Sequence, residues 1–263
     1  MKNTYLRHRQ PESKYERIVK SREMEYIEFD MLKLDAGAVY NNSTSGYEEG
    51  LLILNGKCSV SGKDFDFSNI GDRMNVFDGK PYCVYLPFNT LYEIKALTDV
   101  EVALCRTPSD LKSKPQLIKP EDVIVKDLGK DNWQRKAYLI LDERIGAKHI
   151  YIGEAIVPAG NWAGFPPHRH DYDNLPHEVD MEEVYFYRFD KPQGFGIQKV
   201  YTDDGDIDET YTVKNDDTVM ISRGYHPVAA APGYGMYYLW IMAGKNRKFL
   251  STLNPEHRWI AEG

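Results

Sequence analysis

The sequence predicts an all-β protein made of two small barrels or sandwiches, and three observations carry that expectation. Short apolar runs alternate with turn signals along most of the 263 residues. The 19 tyrosines and 14 prolines lean toward strands and turns rather than long helices. A faint internal repeat suggests that one half of the chain echoes the other. The length suits either one large β domain or two of about 100–150 residues each.

Residues 1–22 are charged and read as a loose arm, with Tyr5, Leu6 and Tyr15 able to pack on a partner or on the second half. Apolar runs then follow at 26–34, 50–54, 76–77, 84–86, 91–96 and 100–105. Asp35-Ala36-Gly37 marks a turn, and Asn55-Gly56 between two apolar runs is a hairpin signal. Around 107–135 the composition turns polar and Pro-containing. This sets the expected division: a first domain over 1–115, a connector over 116–135 and a second domain over 136–263. The second half resumes the rhythm at 137–141, 150–157, 184–188, 195–201, 217–221 and 236–242. Its tail, with Pro255, Glu256, His257 and Trp259, is expected to cover a barrel edge or serve an interface.

The repeat pairs Glu48-Glu49-Gly50-Leu51-Leu52-Ile53-Leu54 with Glu182-Glu183-Val184-Tyr185-Phe186-Tyr187-Arg188, and Val84-Tyr85-Leu86-Pro87 with Val219-Met220-Ile221-Ser222. Aligning Leu86 with Ile221 puts Leu91 where His226 stands, and the chain has no histidine between His8 and His149. The first half is therefore expected to be a structural partner that binds no metal.

A net charge of −7 and a pI near 5.6 leave no broad basic surface for nucleic acid or an anionic membrane, while a locally basic pocket could still take an anionic small molecule. Cys58, Cys83 and Cys105 form no CxxC pair and read as buried thiols in a reducing compartment. The polar start lacks the apolar stretch of a secretory signal, so the expected location is the cytoplasm.

Chemistry concentrates between Gly164 and His226. His168 and His170 are two apart, so on an extended backbone both face one side and can grip one ion. Glu182 and Glu183 open the next strand, and His226 follows a later one. Three imidazoles and one carboxylate suit Zn²⁺, Mn²⁺, Fe²⁺, Co²⁺ or Ni²⁺. Parity decides between the glutamates: Glu183 shares its face with Tyr185 and Tyr187, Glu182 with Val184 and Phe186, and we choose Glu183. His177 and Glu178 lie in an acidic loop whose ordinary reading is a solvated lid. Arg223, Tyr225, Gln198 and Tyr187 are the candidates for an anionic, hydroxyl-rich ligand, although an ion pair or simple packing would also account for them. His8, His149 and His257 have no companions.

The stretches Pro158-Ala159-Gly160-Asn161-Trp162, Phe165-Pro166-Pro167-His168-Arg169-His170-Asp171, Asn174-Leu175-Pro176-His177-Glu178, Glu182-Glu183-Val184-Tyr185, Pro192-Gln193-Gly194-Phe195-Gly196-Ile197-Gln198 and Arg223-Gly224-Tyr225-His226-Pro227-Val228 resemble the 5-deoxyglucuronate isomerases of inositol breakdown. The resemblance is dense over 155–245 and thin before it. The 5-keto-4-deoxyuronate isomerases are similar more distantly, with a shorter loop before the glutamate. The first resemblance implies a bicupin, that is, two double-stranded β-helix (jelly-roll) barrels, working as a homo-oligomer on a sugar acid with a divalent metal such as Zn, Mn or Fe. It implies His168, His170, Glu183 and His226 as metal ligands. The implied reaction interconverts 5-deoxy-D-glucuronate and 5-dehydro-2-deoxy-D-gluconate. Glu182, His177, Glu178 and Tyr185 are then unranked nominees for the proton-transferring base, and Arg223 for the substrate carboxylate. The rival classes are a cupin dioxygenase and a non-catalytic sugar-acid sensor or metal-stabilised barrel, since fold and metal site do not fix a reaction.

Overall fold

A computed structural model describes residues 4–8 and 14–262, and almost every regular element in it is a β-strand. The all-β expectation is met. The chain forms two compact units, one from the described residues of 10–124 and 139–152, the other from those of 1–9, 125–138 and 153–263. This departs from the expected contiguous division. The stretch expected as a connector contains the strands Gln116–Ile118 and Ile124–Leu128. Its polar composition has a plain cause: Ile124–Leu128 is an edge strand, exposed along nearly its whole length.

In the first unit, a six-stranded antiparallel sheet runs in the order Gln116–Ile118, Cys83–Leu86, Tyr47–Asn55, Val100–Pro108, Glu28–Leu34 and Tyr15–Val19. A four-stranded sheet contains Val39–Ser43, Leu91–Ala96, Cys58–Gly62 and Phe65–Ile70. Leu51, Ile53, Val84, Val102 and Leu104 of the first pack with Val60, Tyr92, Ile94 and Ala96 of the second into one apolar core. The strand Tyr47–Asn55 is buried on both faces, which is why its sequence shows an unbroken apolar run instead of alternation. Cys58, Cys83 and Cys105 are buried and unpaired.

Two local expectations in this unit fail. Asn55-Gly56 does not close a hairpin, because the strands on either side of it lie in different sheets. Gly56 is instead a corner: its φ is +77°, and a Cβ there would sit 2.1 Å from the Asp99 carbonyl oxygen. Residues 76–77 lie in a turn, not a strand, too few to form one against Asn75–Asp78 turn bonding.

Built mostly from residues of the second unit, a seven-stranded sheet runs Tyr5–His8, Asp217–Ile221, Glu182–Phe189, Met236–Ala243, Ile150–Val157, Arg135–Leu141 and Ile124–Leu128. A four-stranded sheet contains Trp162–Ala163, Val228–Ala230, Phe195–Tyr201 and Asp208–Lys214. Part of the expected loose arm is an edge strand here, with Tyr5 opposite Met220 and His8 opposite Asp217. His8, unassigned from sequence, holds the Asp217 carboxylate at 2.5 Å. The tail is tied in as well: Thr252–Leu253 pairs with His168–Arg169, and the Asn254 N–H donates to the Pro167 carbonyl at 2.8 Å. No helix among the described residues is long and apolar enough to cross a membrane.

The strand registers make the internal repeat physical. Glu49 lies opposite Leu86, and Glu183 lies opposite Ile221. The residues aligned from sequence occupy the same cross-strand station in the two units.

Candidate metal centre

His170, Glu183 and His226 converge, with one ligand atom from each lying within 4.8 Å of the others, all three side chains buried. Oε2 of Glu183 sits 3.2 Å from Nε2 of His170 and 3.0 Å from Nε2 of His226. The His168 ring stands beside them, its centroid 4.9 Å from that of His226 and 6.4 Å from that of His170. Three supports bring them together. His168 opens the short strand held by the tail and His170 immediately follows it, Glu183 is at the start of a central strand, and His226 follows the turn at Gly224, whose φ is +99°.

Hydrogen bonds set which imidazole nitrogen faces the centre. Nδ1 of His170 is 2.6 Å from the Met181 carbonyl oxygen, and Nδ1 of His226 is 2.8 Å from that of Gly224. A carbonyl only accepts, so each Nδ1 carries the proton and each Nε2 presents a lone pair toward Glu183. That is the arrangement of metal-ligating histidines whose far nitrogen is anchored by the backbone. Nε2 of His226 is buried without any hydrogen-bond partner, an orphan lone pair that a cation would satisfy. The donor set and this orphan atom fit a divalent ion.

The electrostatics agree. Burial, then the fields of His226 and His170, push the His168 imidazole down to about 3, so it is neutral and able to ligate. Burial would lower His170 as well, but the Glu183 carboxylate beside it prevails and raises it. Burial alone would raise Glu183; His170 and His226, both facing its carboxylate, overcome that and bring it to about 2.

Strand parity places Tyr185 and Tyr187 on the face of Glu183. The Tyr185 ring lies 5.9 Å from that of His226 and 4.5 Å from that of Tyr238, a tyrosine not singled out from sequence. Burial, reinforced by the charge of Glu183, raises the Tyr185 phenol well above its usual value, so it is a proton donor at neutral pH.

Several nominated residues are held elsewhere. Glu182 is buried on the opposite face of the strand from Glu183. His177 is exposed on the acidic loop. Glu178 is held as a latch: its carboxylate accepts the Asp171 N–H at 2.7 Å and lies 3.4 Å from the Arg169 guanidinium. Arg223 points to acidic partners, Asp204 and Asp206, each at 3.1 Å. Tyr225 packs on Tyr201 and lies under the Arg169 guanidinium. Gln198 positions other groups: it accepts from the Tyr187 hydroxyl and donates to the His226 carbonyl at 2.8 Å.

Arg135 was missed from sequence. Its Nη1 donates to the Trp133 and Phe165 carbonyls at 3.3 and 3.2 Å, which ties it to the segment leading into His168. Its charge is felt at His168, Tyr185 and Tyr238. No local pattern marks it, because nothing in Trp133-Gln134-Arg135-Lys136 shows where the chain will return.

Two β-barrel units, one with a histidine–carboxylate cluster, define a cupin-like protein with a candidate divalent-metal site. The chain belongs to the KduI/IolB family, whose model matches residues 3–260. It is 44% identical over 239 residues to the 5-deoxy-glucuronate isomerase of Geobacillus kaustophilus, covering 90% of this chain and 87% of that one. The 5-deoxy-glucuronate isomerase of Bacillus subtilis strain 168 is 40% identical over 242 residues, covering 91% and 89%. The crystal structure of an IolB-like protein from Salmonella typhimurium LT2 superposes with a TM-score of 0.88 at 39% identity, covering 90% of each chain. An oxalate decarboxylase from Lactobacillus farciminis reaches a TM-score of 0.66 at 12% identity over 95% of this chain and 85% of its own, a likeness of fold alone.

Proposed function

We propose that the chain is an isomerase interconverting 5-deoxy-D-glucuronate and 5-dehydro-2-deoxy-D-gluconate, an aldose–ketose step of inositol breakdown. The observation that carries this reading is that relatives named 5-deoxy-glucuronate isomerase match it at about 40% identity across both units. His168, His170, Glu183 and His226 would hold a Zn²⁺, Mn²⁺ or Fe²⁺ ion. Such an ion supplies Lewis acidity toward the sugar's carbonyl and neighbouring hydroxyl. The protein's own groups do the rest. Gly224 and Met181 carbonyls fix the imidazoles, Gln198 fixes Tyr187 beside them, and the protonated Tyr185 phenol donates toward the substrate oxygen on which charge develops. The substrate is a small sugar acid, and three buried free thiols favour a reducing cytoplasm as the place of work.

The test is proton NMR of 5-deoxyglucuronate in D₂O with metal-loaded protein. Ketose carrying deuterium at the carbon that accepts the proton establishes the isomerase and a proton-transfer route. Ketose without deuterium keeps the isomerase and replaces that route by an internal transfer. Absence of product with each of Mn²⁺, Zn²⁺ and Fe²⁺, together with oxygen uptake on a catechol or thiol, would replace the isomerase by a dioxygenase.

A further inference from the structure

Among the arginines of the second unit, Arg169, Arg188 and Arg223 are each paired with carboxylates: Arg169 with Asp203 and Glu178, Arg188 with Asp216, Arg223 with Asp204 and Asp206. Arg135 differs. Among the described residues no carboxylate pairs with it, and its only hydrogen bonds run from Nη1 to the Trp133 and Phe165 carbonyls. The side-on edge of the guanidinium, Nε with Nη2, is left without a partner although the residue is half-buried. A guanidinium taken partly out of water ordinarily finds an anion, and the Nε–Nη2 edge matches the two oxygens of a carboxylate.

Its orientation is fixed before any ligand arrives. The guanidinium lies 5.9 Å from the centroid of the Trp133 ring, and Trp133 meets Phe165 edge-on at 6.4 Å. Phe165 packs in turn on Trp162, ring centroids 5.6 Å apart. Phe165 is three residues before His168, so the bond that anchors Arg135 also places it at the rim of the metal centre. Burial lowers its affinity for a proton, while the nearby Tyr238 and Tyr185 phenols act the other way; it remains a cation in a tyrosine-lined space.

We propose that Arg135 binds the carboxylate of the substrate through its Nε–Nη2 edge, and so selects a uronate over a neutral sugar at this site. The proposal rests on the isomerase reading for its substrate, and a binding probe separates the two. D-Glucuronate and its neutral amide, glucuronamide, serve as competitive probes of the metal-loaded full chain. The wild type prefers glucuronate by roughly 10- to 150-fold, the range for losing hydrogen bonds to a charged group. Arg135→Gln abolishes that preference and raises KM for 5-deoxyglucuronate by a similar factor, with kcat and bound metal little changed.

An Arg135→Gln variant that keeps both KM and the preference overturns the proposal. Should that variant lose its metal, Arg135→Lys decides: it retains a cation without the two-pronged edge, so a KM raised about tenfold supports the proposal and an unchanged KM overturns it. A wild type that does not turn over 5-deoxyglucuronate, yet loses its glucuronate preference on Arg135→Gln, would remove the isomerase reading and leave the carboxylate site standing.

Discussion

Glu49 and Glu183 occupy the same station in two barrels, opposite Leu86 and Ile221 respectively, and both are buried. Their carboxyls nevertheless move in opposite directions. Glu183 faces two imidazoles, which outweigh burial and bring it to about 2. Glu49 is pushed up to about 8, first by burial and then by the charge of Glu28, against a single opposing hydrogen bond from Tyr92. The cation nearest to it, Arg106, is bound to Asp30 and stands 3.7 Å from Glu49. Because that guanidinium is already held by Asp30, Glu49 keeps its proton. The same backbone station thus holds a charged carboxylate of the candidate metal cluster in one barrel and a neutral acid in the other, according to the side chains that face it.

The largest expected effect breaks the comparison at that station. Glu183→Gln removes the anionic member of the candidate metal cluster and should lower kcat by at least about 100-fold, beyond what loss of a group supporting a ligand costs, whereas Glu49→Gln stays within about twofold. Steady-state isomerisation assays on the two variants check this.

A stability difference comes next. Glu48, beside Glu49 on the opposite face, accepts the N–H groups of Lys148 and His149 at 2.7 Å, that of Ile150 at 3.2 Å and the Tyr85 hydroxyl at 2.9 Å. Glu48→Ala leaves these donors without their carboxylate and should cost on the order of 3–5 kcal/mol in urea denaturation, with the Glu183 cluster untouched.

A pH dependence sharpens the contrast. Because Glu49 holds its proton in the folded chain up to about 8, its contribution to stability is complete below its ordinary value of 4.5 and is lost as pH rises through about 8. The fall should be on the order of 3 kcal/mol, since Arg106 moderates the full displacement. Glu49→Gln should flatten it in denaturation midpoints taken between pH 5 and about 8.5. The smallest effect belongs to Arg223, whose partners are largely exposed. Arg223→Ala should change stability by about 0–1 kcal/mol and KM by less than about twofold, against the large rise expected for Arg135→Gln.

What could be read from the sequence follows from how local each cause is. His-x-His spacing and the parity of Glu183 with Tyr185 and Tyr187 depend only on strand alternation, so they were visible in one dimension. The Glu48-Glu49 and Glu182-Glu183 echo was legible for the same reason. The exchange of 125–138 and 139–152 between units was hidden, because it rests on pairing between distant segments, as does the capture of Tyr5–His8 by Asp217–Ile221. Asn55-Gly56 misled because a positive φ serves a corner between sheets as well as it serves a hairpin. Arg223 drew attention by standing three residues from His226, but Asp204 and Asp206 reach it from another turn. Arg135 became visible only when Phe165 was folded against it.

Elemental analysis of purified wild type, Glu183→Gln and Glu49→Gln after dialysis tests most directly the claim that one barrel binds the ion and the other does not. The account predicts about one divalent ion per chain in wild type and Glu49→Gln, and almost none in Glu183→Gln. Metal retained in Glu183→Gln, or a loss in Glu49→Gln equal to that in Glu183→Gln, would contradict it.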